Sequence, residues 1–496
     1  MPNPSAVKHA AIAGPPPRAA SGVPYAAINQ DRSAISWPVA TGILAAVDAV
    51  MIFAGGLAAA AASPPMLPVK WRLMALVVAA GAILAVNLMQ LLGAYKPAAL
   101  HYLGASLIPV GGGWLLSLGV VRIIMYVTET TMPPAQKWLI LWFLAGGAAL
   151  AANRLIFHGL VGRWRREGRL GRVIAVVGAG PVGLRLLRHF ITTRDPERRI
   201  IGVYDDRHNR LPGRCMGYPI LGTVDDLVSR IRERRVDQVV VALPLSADRR
   251  LAEIMNKLSL VPVEVRLCAD NFGFQLGAGA GDGVTLLEGL RQPMADWRWI
   301  AKAVEDRMLA ALILLLSAPL LLVVAVLIKL DSPGPVFFRQ QRYGYNNRLF
   351  EVFKFRTLHQ HATDRNAERL IERNDPRVTR VGAFLRRTTL DELPQFFNVL
   401  RGEMSIGGPR PHALAAKAAG LLYRDAVKYY DSRHRVKPGI TGWAQINGWR
   451  GETRTIEQIR KRVEYDLYYI EHWSVPFDLK IILKTIFVGF TGDRAY

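Results

Sequence analysis

Cysteine is scarce in this chain of 496 residues, which holds two, Cys215 and Cys268. So few exclude a disulfide-stapled scaffold and suit a reducing compartment. Acidic side chains are also short, 39 Asp and Glu against 63 Lys and Arg, for a net charge of +24. That excess favours anionic membrane surfaces and phosphorylated substrates. It would also suit nucleic acid, but no nucleic-acid-binding module is visible, so nucleic acid is set aside as a partner. The first 35 residues contain no compact apolar segment. Their Ala- and Pro-rich composition predicts a disordered tail over 1–35 and argues against a signal peptide.

What is present instead is apolar sequence in long runs, at 37–62, 73–92, 100–126 and 138–157. About 20 apolar residues suffice to cross a bilayer, and glycine interruptions are common in membrane helices. The expectation is a four-helix transmembrane region over 36–157. A basic linker follows over 158–171, where Arg163, Arg165, Arg166 and Arg169 lead to Arg172. The positive-inside rule puts this cluster in the cytoplasm, and four spans return the amino terminus to the same side. Lys70 and Arg72 run against that bias, since they would sit near the outer face.

From Arg172 the pattern becomes that of a soluble domain. Arg172-Val-Ile-Ala-Val-Val177 predicts a buried strand, and Gly178-Ala-Gly180-Pro-Val-Gly183 a tight turn into an amphipathic helix at 184–190. Further strands are expected at 200–204, 238–243 and 261–267, giving a Rossmann-like parallel α/β domain over 172–290. Glycines in such a turn admit a phosphate to a helix amino terminus, so nucleotide binding by Gly178, Gly180, Gly183 and Asp205 is one reading. A structural or regulatory role is the other. Asp205 lies 27 residues past Gly178, against a usual spacing of about 20, and the domain has no Tyr-x-x-x-Lys pair for reductase chemistry. The Gly277-Ala-Gly-Ala-Gly281-Asp-Gly283 run reads as a flexible linker.

A last apolar run, 308–328, is broken at its centre by Ser317-Ala-Pro319. Proline removes a backbone donor and clashes with the preceding turn. Membrane helices tolerate this where hydroxyls or protein re-satisfy the freed carbonyl, and Ser317 is placed to do so. A simple fifth span would carry the strongly basic remainder out of the cytoplasm. A re-entrant membrane helix over 291–330, bent at Pro319 and returning to the face it entered, avoids that cost. Trp297-Arg-Trp299-Ile-Ala-Lys302 ahead of it has the aromatic and basic character of a membrane interface. The remainder, 331–490, is expected to be a mainly α-helical catalytic domain. The fold class is a membrane protein with α and α/β parts.

The residues that carry chemistry concentrate in that last part. Phe353-Lys354-Phe-Arg356-Thr357 alternates aromatics with cations, and Leu385-Arg386-Arg387-Thr-Thr-Leu-Asp391-Glu392-Leu-Pro-Gln395 sets arginines around two carboxylates. Ser405-Ile-Gly-Gly-Pro409-Arg410-Pro411 and Lys437-Pro-Gly-Ile-Thr-Gly-Trp443-Ala-Gln445 follow. Taken alone, Asp391-Glu392 reads as a helix start, capped by Thr389 with Glu392 completing a capping box. Paired acids among cations equally suit a magnesium-bound phosphate site, in which one carboxylate attacks phosphorus.

Taken in order, the broken helix, Lys-Phe-Arg-Thr, Leu-Arg-Arg-Thr-Thr-Leu-Asp-Glu-Leu-Pro-Gln, Gly-Pro-Arg-Pro and Lys-Pro-Gly-Ile-Thr-Gly resemble the monotopic polyprenol-phosphate phosphoglycosyl transferases over about residues 300–490. The upstream spans and α/β domain are similar to the long members of that family, the undecaprenyl-phosphate glucose phosphotransferases. The resemblance implies a multi-pass protein of the bacterial inner membrane, with α/β and catalytic domains in the cytoplasm. It implies that Asp391 takes sugar-1-phosphate from a UDP-sugar as an acyl phosphate, releasing UMP. Undecaprenyl phosphate then accepts it, which starts an exopolysaccharide repeat unit. Glu392 would help Asp391 hold Mg²⁺ and would deprotonate the lipid phosphate. Lys354, Arg356, Arg386 and Arg410 would bind phosphate.

The family's helix-breaking Ser-Pro is one residue longer here, and Lys302 with Asp306 matches its Lys-x-x-x-Asp pattern. Gly448-Trp-Arg450-Gly451-Glu452-Thr453 is similar to the glucose-type members. That makes UDP-glucose the expected donor, with galactose or another sugar as the alternative. Gln445, Arg450 and Glu452 are candidate sugar or uridine contacts, whereas Tyr465, Tyr468, Tyr469 and Trp473 read as packing or membrane-edge aromatics. Membrane lipids complete the partners, and a homodimer is compatible with the sequence. Two other classes stay open: a nucleotide-sugar oxidoreductase built on the Gly178 domain, and a nucleotide-binding membrane sensor or scaffold.

Overall fold

The computed structural model describes residues 36–63, 71–100, 102–127, 133–167, 169–193, 198–234, 236–244, 246–268, 286–360, 375–449, 451, 453 and 455–491. The 1–35 tail, Lys70, the 277–283 glycine run, Arg450 and Glu452 lie outside them. The chain divides after Gly171 into two compact units.

The first unit is built from four apolar helices, α1 (Trp37–Ala61), α2 (Trp71–Leu91), α3 (Leu103–Val127) and α4 (Pro133–Arg166). The last runs beyond residue 157, so the expected basic linker is helical as far as Arg166 and carries Arg163, Arg165 and Arg166 on its final turn. Tryptophans from α4 fill the interior. The Trp142 indole donates to the Ile52 carbonyl at 2.9 Å and that of Trp138 to Gly56 at 3.1 Å. A side chain at Gly56 would put Cβ 2.5 Å from Val78 and 2.9 Å from Trp142, so this close approach needs glycine. One ion pair is sealed inside. Asp48 accepts from Arg154 at 2.8 Å, Asn153 at 2.7 Å and Tyr95 at 2.8 Å, the satisfaction that a buried charge in apolar surroundings requires.

The second unit begins with a five-stranded sheet. Its strands are β1 (Arg172–Val177), β2 (Arg198–Tyr204), β3 (Gln238–Val241), β4 (Glu264–Cys268) and β5 (Leu286–Leu290), in the order β2-β1-β3-β4-β5. The first four are parallel and β5 pairs antiparallel at the edge. Helices α5 (Pro181–Thr193), α6 (Val224–Glu233) and α7 (Asp248–Leu258) lie between the strands in sequence. The unbroken apolar runs of β1 and β3 are buried throughout, apart from exposed Arg172, as expected of parallel strands covered on both faces. Cys215 and Cys268 are buried and not in disulfides.

Next comes α8 (Asp296–Asp331), one continuous helix of 36 residues with Pro319 inside it. Ser317 does not repair the break as expected. Its hydroxyl donates to the Ile313 carbonyl at 2.7 Å, whereas the carbonyl that Pro319 deprives of a donor is that of Leu315. A hairpin of β6 (Phe337–Tyr343) and β7 (Leu349–Phe355) follows, then α9 (Arg380–Arg387) and α10 (Gln395–Arg401). The parallel pair β8 (Ser405–Gly407) and β9 (Gly439–Thr441), then α11 (Trp443–Ile446), α12 (Ile456–His472) and α13 (Val475–Thr491), complete the unit. Helices make up most of the ordered elements of this region, as expected, with the hairpin and the parallel pair set among them.

Both ends of α8 dock on this last region. Near its start, Ala310 packs with Val352, Val399, Met404 and Ile406. Near its end, Val324 and Ile328 pack with Phe355 and Leu385. Between them Leu315, Leu316, Leu322 and Val323 are exposed. The first end is pinned by charge. Lys302 lies 2.8 Å from Asp306 and 2.6 Å from Asp478. Asp306 also accepts from the Ser405 hydroxyl and the Ile406 amide, both at 3.0 Å. Asp478 accepts from Tyr469 at 2.9 Å and Trp473 at 2.7 Å, which bears out a packing role for both aromatics. Removing one partner of such a buried network costs about 3–5 kcal/mol. Asp306→Ala is therefore expected to lower Tm by several degrees in a detergent-solubilised thermal melt, and an unchanged Tm would contradict the anchor.

Candidate active site

Asp391 and Glu392 sit in a single 3₁₀ turn, Leu390–Glu392, between α9 and α10. The residue before this turn, Thr389, is left-handed at φ 58°, and its side chain caps nothing. A β-branched residue held there costs about 1–3 kcal/mol, a strain that clusters at functional sites. The capping-box reading is thus corrected. Glu392 turns away from the helix start and toward two cations.

Lys354, on β7, donates to Glu392 Oε1 at 2.9 Å. Arg410 holds both carboxylate oxygens, one through Nη1 at 3.0 Å and the other through Nη2. Burial pushes the Glu392 carboxyl up, but Arg410 and then Lys354 outweigh it and hold the group well below the usual carboxylate range. So strong an acid is a poor proton acceptor, which argues against its deprotonating a lipid phosphate. Asp391 differs. It has no hydrogen bond or ion pair among the described residues. Burial raises its pKa, Glu392 adds to this, and the nearby charges of Lys354, Arg386 and Arg410 oppose it. One carboxylate is locked in ion pairs and its neighbour is left free.

Arg410 reaches this point from the loop after β8. Gln445 leaves the same end of the parallel pair on α11, and its Oε1 is buried without a partner among the described residues. The Gly408 amide bonds the Thr441 carbonyl at 2.8 Å and ties the two loops together. Arg356 is not brought to the pair. It is buried, and its guanidinium donates to the carbonyls of Ser332 at 2.7 Å and Pro333, closing the carboxyl end of α8. The strand ends at Phe355, so the alternation that would set Arg356 beside Lys354 stops one residue short.

Several residues went unnoticed in the sequence. Arg342, on β6, donates to the Pro411 carbonyl at 3.2 Å and to Gln340 at 3.1 Å. Burial first, then repulsion from Arg410, brings its pKa down to about 10. Behind Arg410, Arg433 pairs with Asp466 at 2.7 Å, donates to the Arg410 carbonyl at 2.7 Å and contacts His412 Nδ1 at 2.7 Å. Burial and the charges of Arg433 and Arg462 keep His412 far below its ordinary pKa, hence neutral. The histidine following Gly-Pro-Arg-Pro was the available signal. In sum, a free carboxylate lies among guanidinium and ammonium groups that outnumber the acids, a site suited to a phosphate beside a nucleophile.

In the glycine turn of the α/β domain, Gly178 has φ 107°, and a Cβ there would come 2.6 Å from the Ala242 carbonyl. Asp205 does meet this turn despite its late spacing, accepting from the Ala179 amide at 2.9 Å. It also pairs with Arg207 at 2.9 Å. Burial raises Asp205, but the hydrogen bonds from Arg207 and Ala179 bring it down to about 2.

Residues 297–492 match the family described as bacterial sugar transferase, and residues 90–269 match the CoA-binding domain family. The chain is 38% identical over 388 residues to the UDP-glucose:undecaprenyl-phosphate glucose-1-phosphate transferase of Klebsiella pneumoniae, covering 77% of this chain and 80% of that one. It is 41% identical over 362 residues to the protein of the same name in Escherichia coli (strain K12), covering 72% and 76%. With the undecaprenyl-phosphate glucose phosphotransferase of Komagataeibacter xylinus it shares 38% over 386 residues, covering 76% and 69%. The chain belongs to the bacterial sugar transferases and is an enzyme of that family. Among the described residues five helices, α1 to α4 and α8, are long and apolar enough to cross a membrane, in keeping with a membrane-associated member.

The placement of Arg356 makes it a fold determinant. Arg356→Lys cannot span the carbonyls it now holds, so Tm should drop while transferase activity per folded molecule is kept. Lost activity with an unchanged melt would return Arg356 to the phosphate site.

Proposed function

We propose that this protein transfers glucose-1-phosphate from UDP-glucose to undecaprenyl phosphate through a covalent intermediate on Asp391, starting an exopolysaccharide repeat unit. The observation that carries the reading is the division between the carboxylates: Glu392 is spent on Lys354 and Arg410, and Asp391 is free. An Asp391 oxygen attacks the sugar-bearing phosphorus of the donor, the bond to UMP breaks, and UMP leaves with the electron pair. An oxygen of undecaprenyl phosphate then attacks the same phosphorus, and the Asp391 carboxylate departs, leaving an undecaprenyl-diphosphate sugar. Lys354, Arg386 and Arg410 bind phosphate and offset charge as it develops on the transferring group. Arg342 joins them. Glu392 holds two of these cations in place.

Among the described residues no cluster of three acids, histidines or cysteines marks a metal site. The donor set still fits Mg²⁺ in the way that ion is often held, by one or two carboxylates with substrate phosphates and water. Asp391 is available for this, and Glu392 only through oxygens it already shares. When bound, Mg²⁺ would neutralise diphosphate charge.

The docking of α8 supports a re-entrant path. A helix that crossed the bilayer would carry its ends to opposite faces, where one compact domain could not hold both. Here 302–310 and 324–331 meet the same domain, with an apolar stretch exposed between. We read α1 to α4 as four spans of the bacterial inner membrane, and the α/β and catalytic domains as cytoplasmic. The parallel sheet, the glycine turn and Asp205 support a Rossmann-like domain over 172–290, though Arg207 already occupies the Asp205 carboxylate. The names of the relatives favour UDP-glucose over a galactose-type donor. They also weigh against the oxidoreductase and sensor readings.

Purified protein given UDP-glucose, Mg²⁺ and undecaprenyl phosphate should release UMP, and Asp391→Asn should not. UMP release by a folded Asp391→Asn variant would refute the assignment. The pH profile is a second expectation. A raised Asp391 pKa places the acid limb of activity above the ordinary aspartate value of about 3.9. Lys354 lowers that pKa, so Lys354→Met should move the limb to higher pH in whatever activity remains. A limb that stays or moves down would contradict this electrostatic account.

A further inference from the structure

Between the α/β domain and the carboxylate pair lies a six-residue 3₁₀ turn, Tyr430–Arg435. Runs of 3₁₀ helix longer than about three or four residues are uncommon, because their hydrogen-bond geometry is poorer than that of an α-helix. Such a turn takes its shape from what holds it.

Three elements of the α/β domain hold it from one side. The Tyr429 hydroxyl, just ahead of the turn, donates to Asn256 of α7 at 3.1 Å. Asp431 accepts from Arg232, near the end of α6, at 3.1 Å, and from Asn347 of the hairpin turn at 2.8 Å. Arg435 donates to the carbonyl of Arg291, one residue past β5, at 2.7 Å. The neighbouring Asn346 amide adds a bond from the hairpin to the Ile231 carbonyl, also in α6, at 3.0 Å.

The residues in between meet the transferase site. Tyr430 is 6% exposed and Arg433 only 1%. The Tyr430 hydroxyl lies 2.8 Å from His412 Nδ1, and Arg433 donates to the Arg410 carbonyl at 2.7 Å. Arg410 in turn holds Glu392. One short turn is therefore held by the α/β domain through Tyr429, Asp431 and Arg435, and through Tyr430 and Arg433 it holds the loop that presents Arg410. A lone, partly exposed ion pair would contribute little. Asp431 differs, because it joins two partners from separate elements at a turn with weak structure of its own.

We propose that Asp431 is a positioning residue for the transferase site: by anchoring the turn to Arg232, it lets the docked α/β domain set the place of Arg410. This rests on the transferase reading of the Asp391 site. It gives the α/β domain a part in the reaction that needs no ligand of its own.

The test compares Arg232→Ala and Asp431→Ala with the native protein, full-length and detergent-solubilised, by hydrogen–deuterium exchange and by UMP release from UDP-glucose. Exchange over residues 408–413 should quicken about threefold in each variant, the scale of a partly exposed ion pair, and kcat should fall by a similar factor. The acid limb of activity should move to higher pH, because the Arg410 charge lowers the Asp391 pKa and would draw back. The double variant should be no worse than either single one, since both remove the same contact. Arg232→Lys, which keeps the charge, should behave nearly as the native protein. Arg172→Ala breaks a pair of the same 3.1 Å length elsewhere in the α/β domain and should change neither readout. Native exchange, kcat and acid limb in folded Asp431→Ala would overturn the proposal, and so would an equal effect of Arg172→Ala. If the native protein releases no UMP, the transferase reading fails and exchange alone decides: quickened exchange over 408–413 keeps Asp431 as the residue that places Arg410, and unchanged exchange rejects it.

Discussion

The active site depends on how Lys354 and Arg410 share one carboxylate, that of Glu392. Glu392 takes both cations and is held ionised, leaving Asp391 beside it without a partner. Two adjacent acids in one environment would otherwise compete for the same charges. Because the hairpin supplies Lys354 and the loop after β8 supplies Arg410, the pairing ties separate elements to the 3₁₀ turn that carries Asp391. Strain at Thr389 is the local cost of presenting the two side chains at that turn. Arg433 and neutral His412 support Arg410 from behind, so the free carboxylate depends on a buried scaffold several residues deep.

A second constraint ties this site to the long apolar helix. The long apolar helix is fastened at its start by Lys302, Asp306 and Asp478, and at its end by Arg356 on the closing carbonyls. Both fastenings lead into the elements that carry Lys354 and Arg410. On the proposed re-entrant path, a lipid-borne phosphate at the membrane surface would meet the carboxylates without leaving the interface. A two-step displacement suits this arrangement, because the donor product leaves before the acceptor reacts.

Much of this was legible in the amino-acid order. The long apolar runs, the parallel strands of the α/β domain, and Asp391, Glu392, Lys354 and Arg410 all stand in local patterns that survive folding. What failed did so for identifiable reasons. Arg356 lies two residues past Lys354, but the strand ends between them, and strand ends are poorly marked in sequence. The capping box at Thr389 fits local propensity, yet tertiary ion pairs to Glu392 override it. Arg342 and Arg433 are far from Arg410 and His412 in the chain, and only the fold brings them together. The hydroxyl of Ser317 goes to the carbonyl its own rotamer reaches, a choice that spacing does not reveal.

The most direct test is peptide mapping by mass spectrometry, after brief incubation with UDP-glucose and Mg²⁺ in the absence of lipid. The account predicts a hexose-phosphate adduct on the peptide containing Asp391, at that residue, which disappears when undecaprenyl phosphate is added. An unmodified Asp391 under conditions where the full reaction turns over, or an adduct on another residue, would contradict it.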